Sequence, residues 1–166
     1  TRLAYYVSTL SGSGLAGSSS FTYNNNRVSG MYTAAAASQY VIVYGAYFAA
    51  AVSAFETMTF SNSAVTNVLA VSQSSTVDVH LAYFAGTLTL TGTRASSCSA
   101  TNNNMRNCTL KSSGTSQFAG VRFNAVSGLN NFIVDGLDMN GGSSVTSTTN
   151  TAYSYGVWFD SSTSLT

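Results

Sequence analysis

Five acidic side chains, Glu56, Asp78, Asp135, Asp138 and Asp160, are the whole carboxylate supply of this 166-residue chain, so acid–base chemistry has few parts to draw on. Asp135 and Asp138 are the pair closest in sequence. Asp138 is expected to point outward between Leu137 and Met139, and two carboxylates on one outer face can act as proton donor and acceptor. The plainer role is a turn-capping Asp135 ahead of Gly136 and a solvated Asp138. Asp78 and His80 stand two apart, so on a strand they share a face, and a carboxylate beside an imidazole is a general-base arrangement. No Gly-x-Ser-x-Gly elbow accompanies them, and a lone surface Asp and His are more often simply surface.

The remaining reactive groups are sparse. Cys98 and Cys108 flank the segment 99–107. They are either a disulfide, if the protein is extracellular, or two small buried thiols. With one histidine in the chain, a four-ligand zinc site is not expected, and no cofactor or metal is assigned. Asn107-Cys-Thr109 is an Asn-x-Thr acceptor sequence for sugar. Arg122 and Trp158 occupy the same place in two Gly-Val-x-Phe strands, 120–123 and 156–159. They are expected to lie one above the other on the outside, as a cation–π contact or as a stacking surface for sugar. Thr87-Leu-Thr-Leu-Thr-Gly-Thr93, with Thr57 and Thr59 as a second rung, resembles a short threonine ladder.

These groups must be positioned by strands. Hydrophobic residues make up 45% of the chain, charged residues 7%, and the formal net charge is +1. Nucleic-acid binding needs clustered positive charge and disorder needs few apolar residues, so neither is expected. No apolar run is long enough to span a membrane. The chain has no Pro. Short runs of β-branched and aromatic residues, bounded by Ser, Asn and Gly, recur from Leu3–Val7 to Gly156–Phe159, while helix formers are scarce. Within 77–84 the period is two, which predicts Val77, Val79, Leu81 and Tyr83 on one face and Asp78, His80 and Ala82 on the other.

Internal similarity is the strongest signal. Asn102–Leu110 (NNNMRNCTL) aligns with Asn131–Met139 (NFIVDGLDM) at an offset of 29. Thr57-Met-Thr-Phe60 aligns with Thr87-Leu-Thr-Leu90 at 30. The alignment predicts Met105, Cys108, Leu110, Val121, Phe123, Val134, Leu137, Met139, Val157 and Phe159 facing inward. The triplets at Asn24 and Asn102 are expected to form turns, where asparagine accepts left-handed backbone and can stack.

The segment 130–140 (NNFIVDGLDMN), followed by Tyr155-Gly-Val-Trp-Phe-Asp160 and preceded far upstream by Ala4–Thr9, resembles the coil signature of right-handed parallel β-helix proteins, the pectate-lyase-like superfamily. The resemblance implies an all-β, right-handed parallel β-helix (β-solenoid) with irregular coil lengths. It would be a single domain over residues 1–166, less regular in its N-terminal part. It also implies a range of functions: polysaccharide lyase, glycoside hydrolase, tailspike, adhesin or surface protein. The galacturonase motifs Asn-Thr-Asp, Asp-Asp and His-Gly are absent, so the expectation is a non-enzymatic extracellular or cell-surface structural protein. It would contact carbohydrate or self-associate into filaments through unpaired solenoid ends. A β-helix lyase or hydrolase and a glycan-binding tailspike or adhesin are the alternatives. A chain that begins without Met is expected to be processed, trimmed or partial.

Overall fold

The computed structural model describes residues 2–7, 10–11, 20–35, 39–55, 57–73, 75–90, 97–129, 131–139, 141–160 and 164–165; among these every regular element is a strand. Glu56 lies outside them. In chain order the strands are β1 (Arg2–Val7), β2 (Leu10–Ser11), β3 (Ser20–Asn24), β4 (Arg27–Ser29), β5 (Tyr32–Ala35), β6 (Val41–Phe48), β7 (Val52–Phe55), β8 (Thr57–Ser61) and β9 (Ala64–Thr66). They continue with β10 (Val68–Ser72), β11 (Val77–Leu90), β12 (Ser97–Thr101), β13 (Cys108–Ser112), β14 (Ser116–Leu129), β15 (Asn131–Asp135), β16 (Ser144–Ser147), β17 (Ala152–Phe159) and β18 (Ser164–Leu165).

The chain visits the same sheets in rotation, as the resemblance implied. One sheet runs β1-β6-β11-β14-β17, with β2, β7 and β18 attached. A second runs β3-β8-β12-β15, a third β5-β10-β13-β16, and β4 pairs with β9. Every pairing between these strands is parallel, so the molecule is a parallel β-solenoid.

Asparagine makes the corners. Asn25, Asn62, Asn102 and then Gly136, each just past the end of β3, β8, β12 or β15, all have positive φ (58°, 49°, 52° and 63°). Gly30, Asn67, Asn107 and Gly142 form a second left-handed column. Asparagine is among the few side chains that tolerate this backbone, so the asparagine-rich segments mark turns as expected.

The repeat length differs from the sequence expectation. Val41 stands against Val77, 36 residues on. Val77 stands against Ser116 after 39, and Ser116 against Ala152 after 36. The offsets of 29 and 30 are therefore not the coil. Cys108 pairs with Val68, and Thr57 with Ser97. Short apolar runs flanked by Asn, Gly and Thr recur in every pass and match at shifts other than the coil, which produced the false alignment. The threonine ladder fails for the same reason: Thr57 and Thr59 belong to β8, whereas Thr87 and Thr89 belong to β11 and pair with Ala125 and Ser127. The Gly-Val-x-Phe alignment, whose shift is a true coil, holds: Val121 pairs with Val157, Arg122 with Trp158 and Phe123 with Phe159.

Most of the expected inward residues are inside. Met105, Cys108, Leu110, Val121 and Phe123 are fully buried. Val157 and Met139 pack on the core from the last pass. Val134, in one column with Phe60 and Ala100, and Phe159, stacked on Phe123, keep 42% and 37% of their surface. A ladder of rings, Phe48–Phe84–Phe123–Phe159, runs along the solenoid with centroid spacings of 4.2, 5.0 and 5.2 Å.

The period of two does not survive across β11. Val77, Val79 and Leu81 face one core cluster, then Ala82 and Phe84 face the other, so two consecutive residues point inward. Both partner strands skip the same step: His80 pairs with Tyr44 and Ala119, and Ala82 with Ala46 and Val121. Tyr83 therefore joins Asp78 and His80 outside, and Ala82 goes in, the reverse of the sequence expectation. The residues beside Leu81 in this bend are Gly45 and Gly120. A Cβ there would lie 2.5 Å from the carbonyl oxygen of Leu81 or of Gly156. The Tyr23 hydroxyl and the Leu137 side chain reach into the space those glycines leave. Gly120→Ala is expected to cost about 1–3 kcal/mol, since a backbone oxygen must move, and urea unfolding checks this.

Candidate functional site: an aromatic groove

The bend fixes the outer face of the large sheet. Four neighbouring strands present Ile42, Tyr44 and Tyr47 from β6, Asp78, His80 and Tyr83 from β11, Gln117, Ala119 and Arg122 from β14, and Tyr153, Tyr155 and Trp158 from β17. Residues three apart on a flat strand are about 10 Å apart. Here the ring centroids of Tyr44 and Tyr47 are 5.3 Å apart, those of His80 and Tyr83 5.8 Å, and those of Tyr155 and Trp158 5.0 Å. The doubled inward step brings side chains three apart on the outer face into ring contact, and this aromatic face is called the groove below.

Stacking continues across strands. Tyr44 lies parallel to His80 at 5.2 Å and edge-on to Tyr83 at 5.5 Å. Tyr153 touches both Tyr155 and Trp158, at 6.0 and 5.5 Å. Arg122 joins the two groups. Its guanidinium carbon sits 4.8 Å from the Tyr83 ring centre and 4.3 Å from that of Trp158. Its Nε donates to Asp160 Oδ2 at 2.8 Å, and its Nη1 donates to Gln117 Oε1. Burial opposes the charge, but the hydrogen bond to Asp160 and the neighbouring Tyr83 and carboxylates hold the Arg122 pKa above its usual value.

Asp78 and His80 lie below this lattice. Burial pushes the Asp78 carboxyl up to about 6, against the opposing effects of Arg122 and of a side-chain hydrogen bond with Tyr44. His80 has no exposed surface. Burial first, and Arg122 second, push its pKa down to about 3 against the opposing effect of a backbone hydrogen bond with Ala119, so the ring is neutral. Asp78 Oδ1 and the ring nitrogens of His80 are buried with no well-formed hydrogen bond, a weak contact of the ring with the Ala119 backbone apart. Buried polar atoms are normally satisfied, so three poorly satisfied ones in one place are exceptional.

The other expected sites fall elsewhere. Asp138 does face outward, but Arg106 Nε donates to its Oδ2 at 2.7 Å, and it bridges to Asn104 on another face. Asp135 is exposed at the end of β15, ahead of Gly136 in its left-handed turn. Neither belongs to the groove. The Cys108 thiol is free and donates to the Val65 carbonyl at 3.3 Å, and burial pushes its pKa up to about 11. Cys98 sits in β12, a different sheet from β13. Asn107 is exposed in the left-handed corner, where its Nδ2 donates to Asn67 Oδ1 at 3.1 Å. The nitrogen that sugar would need is thus engaged in the asparagine column.

Tyr44, Tyr47, Tyr83, Tyr153 and Tyr155 were not singled out from the sequence. A signal was present: ring-x-x-ring recurs as Tyr44/Tyr47, His80/Tyr83 and Tyr155/Trp158, at true coil spacing. Among the described residues no three His, Cys, Asp or Glu side chains gather to hold a metal, and no helix is long and apolar enough to cross a membrane. No family model matches this chain, and neither the curated proteins nor the solved structures contain a match.

Proposed function

We propose that this chain is an extracellular surface protein of the right-handed parallel β-helix, pectate-lyase-like superfamily that binds carbohydrate in the aromatic groove. The observation that carries the reading is the continuous surface of Tyr153, Tyr155 and Trp158, joined through Arg122 to Tyr83. Sugar rings have apolar faces that stack on aromatic rings and hydroxyl edges that hydrogen-bond, and the groove offers both kinds of partner. Arg122 is already matched by Asp160, so the surface carries little net charge and suits a neutral glycan.

Trp158 is the only tryptophan in the chain and so reports directly on the groove. Titration with neutral hexasaccharides of glucose, xylose and mannose, with polygalacturonate as the anionic comparison, is expected to shift its fluorescence. By calorimetry, Trp158→Ala is expected to weaken binding about tenfold or more. Absence of binding to every glycan would overturn the reading, and release of shortened products would replace it with the lyase or hydrolase alternative. A defined glycan bound by a trimer would favour a tailspike or adhesin. Self-association into filaments is favoured by a separate observation, the exposed apolar side chains of Ile133 and Val134 on β15, and solution mass against concentration tests it.

A further inference from the structure

We propose that Asp78 and His80 form a hydroxyl-binding subsite in the floor of the aromatic face, roofed by the Gln117 side chain, which releases Arg122 Nη1 and swings aside when a saccharide binds, while Arg122 stays on Asp160, Tyr83 and Trp158. The proposal rests on the carbohydrate reading and goes further, by naming the group recognised and the residues that recognise it. On β14, Gln117, Ala119 and Arg122 share the outer face, and the side chains of Gln117 and Arg122 meet across Ala119. Ala119 carries only a methyl, yet both it and His80, its neighbour on β11, are fully sealed. Tyr44 and Tyr83 pack on the His80 ring, and Gln117 is the long side chain beside Ala119 that can rotate without breaking those ring contacts.

The atoms under the roof define their ligand. A neutral imidazole presents one donor and one acceptor, and Asp78 Oδ1 presents an acceptor; none of the three makes a well-formed hydrogen bond, a weak contact of the ring with the Ala119 backbone apart. A hydroxyl both donates and accepts, so it answers each of them. A cation is disfavoured by Arg122 and an anion by Asp78, which leaves a neutral hydroxyl. Poorly satisfied polar atoms weaken the free protein, and residues that break a local rule in this way are expected at functional positions.

The test is His80→Phe, which keeps a ring stacked on Tyr44 and removes both nitrogens, with Asp78→Asn as the second variant. The probe is whichever neutral hexasaccharide shifts Trp158 fluorescence in the wild type. His80→Phe is expected to melt about 2–5 °C higher and to bind about 10–100-fold more weakly. Asp78→Asn is expected to weaken binding by at least threefold. If Trp158→Ala weakens binding while His80→Phe and Asp78→Asn bind like the wild type, the groove stands and the subsite is overturned. Melting of His80→Phe below the wild type also overturns it, because the imidazole would then be well satisfied in the free protein. If no hexasaccharide binds the wild type, the groove reading itself falls and takes the subsite with it.

Discussion

Phe84→Ala is expected to destabilise the protein by about 3–5 kcal/mol, a fall in melting temperature of about 10–15 °C. Phe84 is wholly buried at the centre of the ring ladder. Phe48 lies face to face with it at 4.2 Å and 1°, Phe123 stacks on the other side at 5.0 Å, and Phe60 meets it edge-on at 5.7 Å. Removing it leaves a ring-sized hole between two rungs whose spacing is set by backbone hydrogen bonds, so the walls cannot collapse. Phe84→Leu, which refills most of the volume, is expected to cost markedly less. Chemical unfolding of both variants checks this, and a loss below 1 kcal/mol for the alanine variant would show that the ladder is not the core.

The second large effect is one that the wild type conceals. Asp78 titrates at about 6 when folded and 3.8 as the free side chain, so the folded protein holds the extra proton. Its contribution to stability therefore grows as pH falls from 6 towards 4. His80 titrates at about 3 when folded and 6.5 when free, so the folded protein refuses a proton that the unfolded chain accepts. Its contribution is lost as pH falls below 6.5. Between about pH 4 and 6 the two slopes oppose each other, and this pair leaves the wild type nearly insensitive to pH. Asp78→Asn should expose the His80 slope, losing up to about 1.4 kcal/mol per pH unit on acidification. His80→Phe should expose the Asp78 slope, gaining stability over the same range. Urea unfolding of the three proteins from pH 4 to 7 measures both, and parallel curves would refute the opposed burial of the two groups.

The fold was legible because a solenoid repeats its instructions. Strand-forming runs, asparagine corners and the Gly-Val-x-Phe pair all point to stacked parallel coils, and each is a local property of a few residues. The register was less legible, because short apolar runs recur in every pass and match at several shifts; only glycines, tryptophan and other rare residues distinguish a true coil from a false one. The groove was hidden by a single backbone event. A strict period of two places Tyr83 inside and Ala82 outside, and the doubled inward step at Leu81–Ala82 reverses both. That step is written in Gly45 and Gly120, but only against the backbone of the neighbouring pass, which the linear sequence does not display. Arg122 and Trp158 were found because their alignment lies beyond the slip and depends on a true 36-residue coil.

Solenoids can lengthen by duplicating one turn of chain, since each turn contacts only its neighbours. The bend restricts where such a duplication is tolerated. Leu81 has a glycine on either side of it in its column, Gly45 and Gly120, whereas Gly120 is followed by another glycine, Gly156, with Leu137 filling the space. A copy of the β11 turn set against itself would place leucine beside leucine at the point of closest backbone approach. A copy of the β14 turn would repeat an arrangement that the molecule already contains. Gain or loss of whole turns is therefore compatible with this architecture on the β14 side and not at β11, and the part of the groove that holds Asp78 and His80 is the part whose neighbours cannot be exchanged.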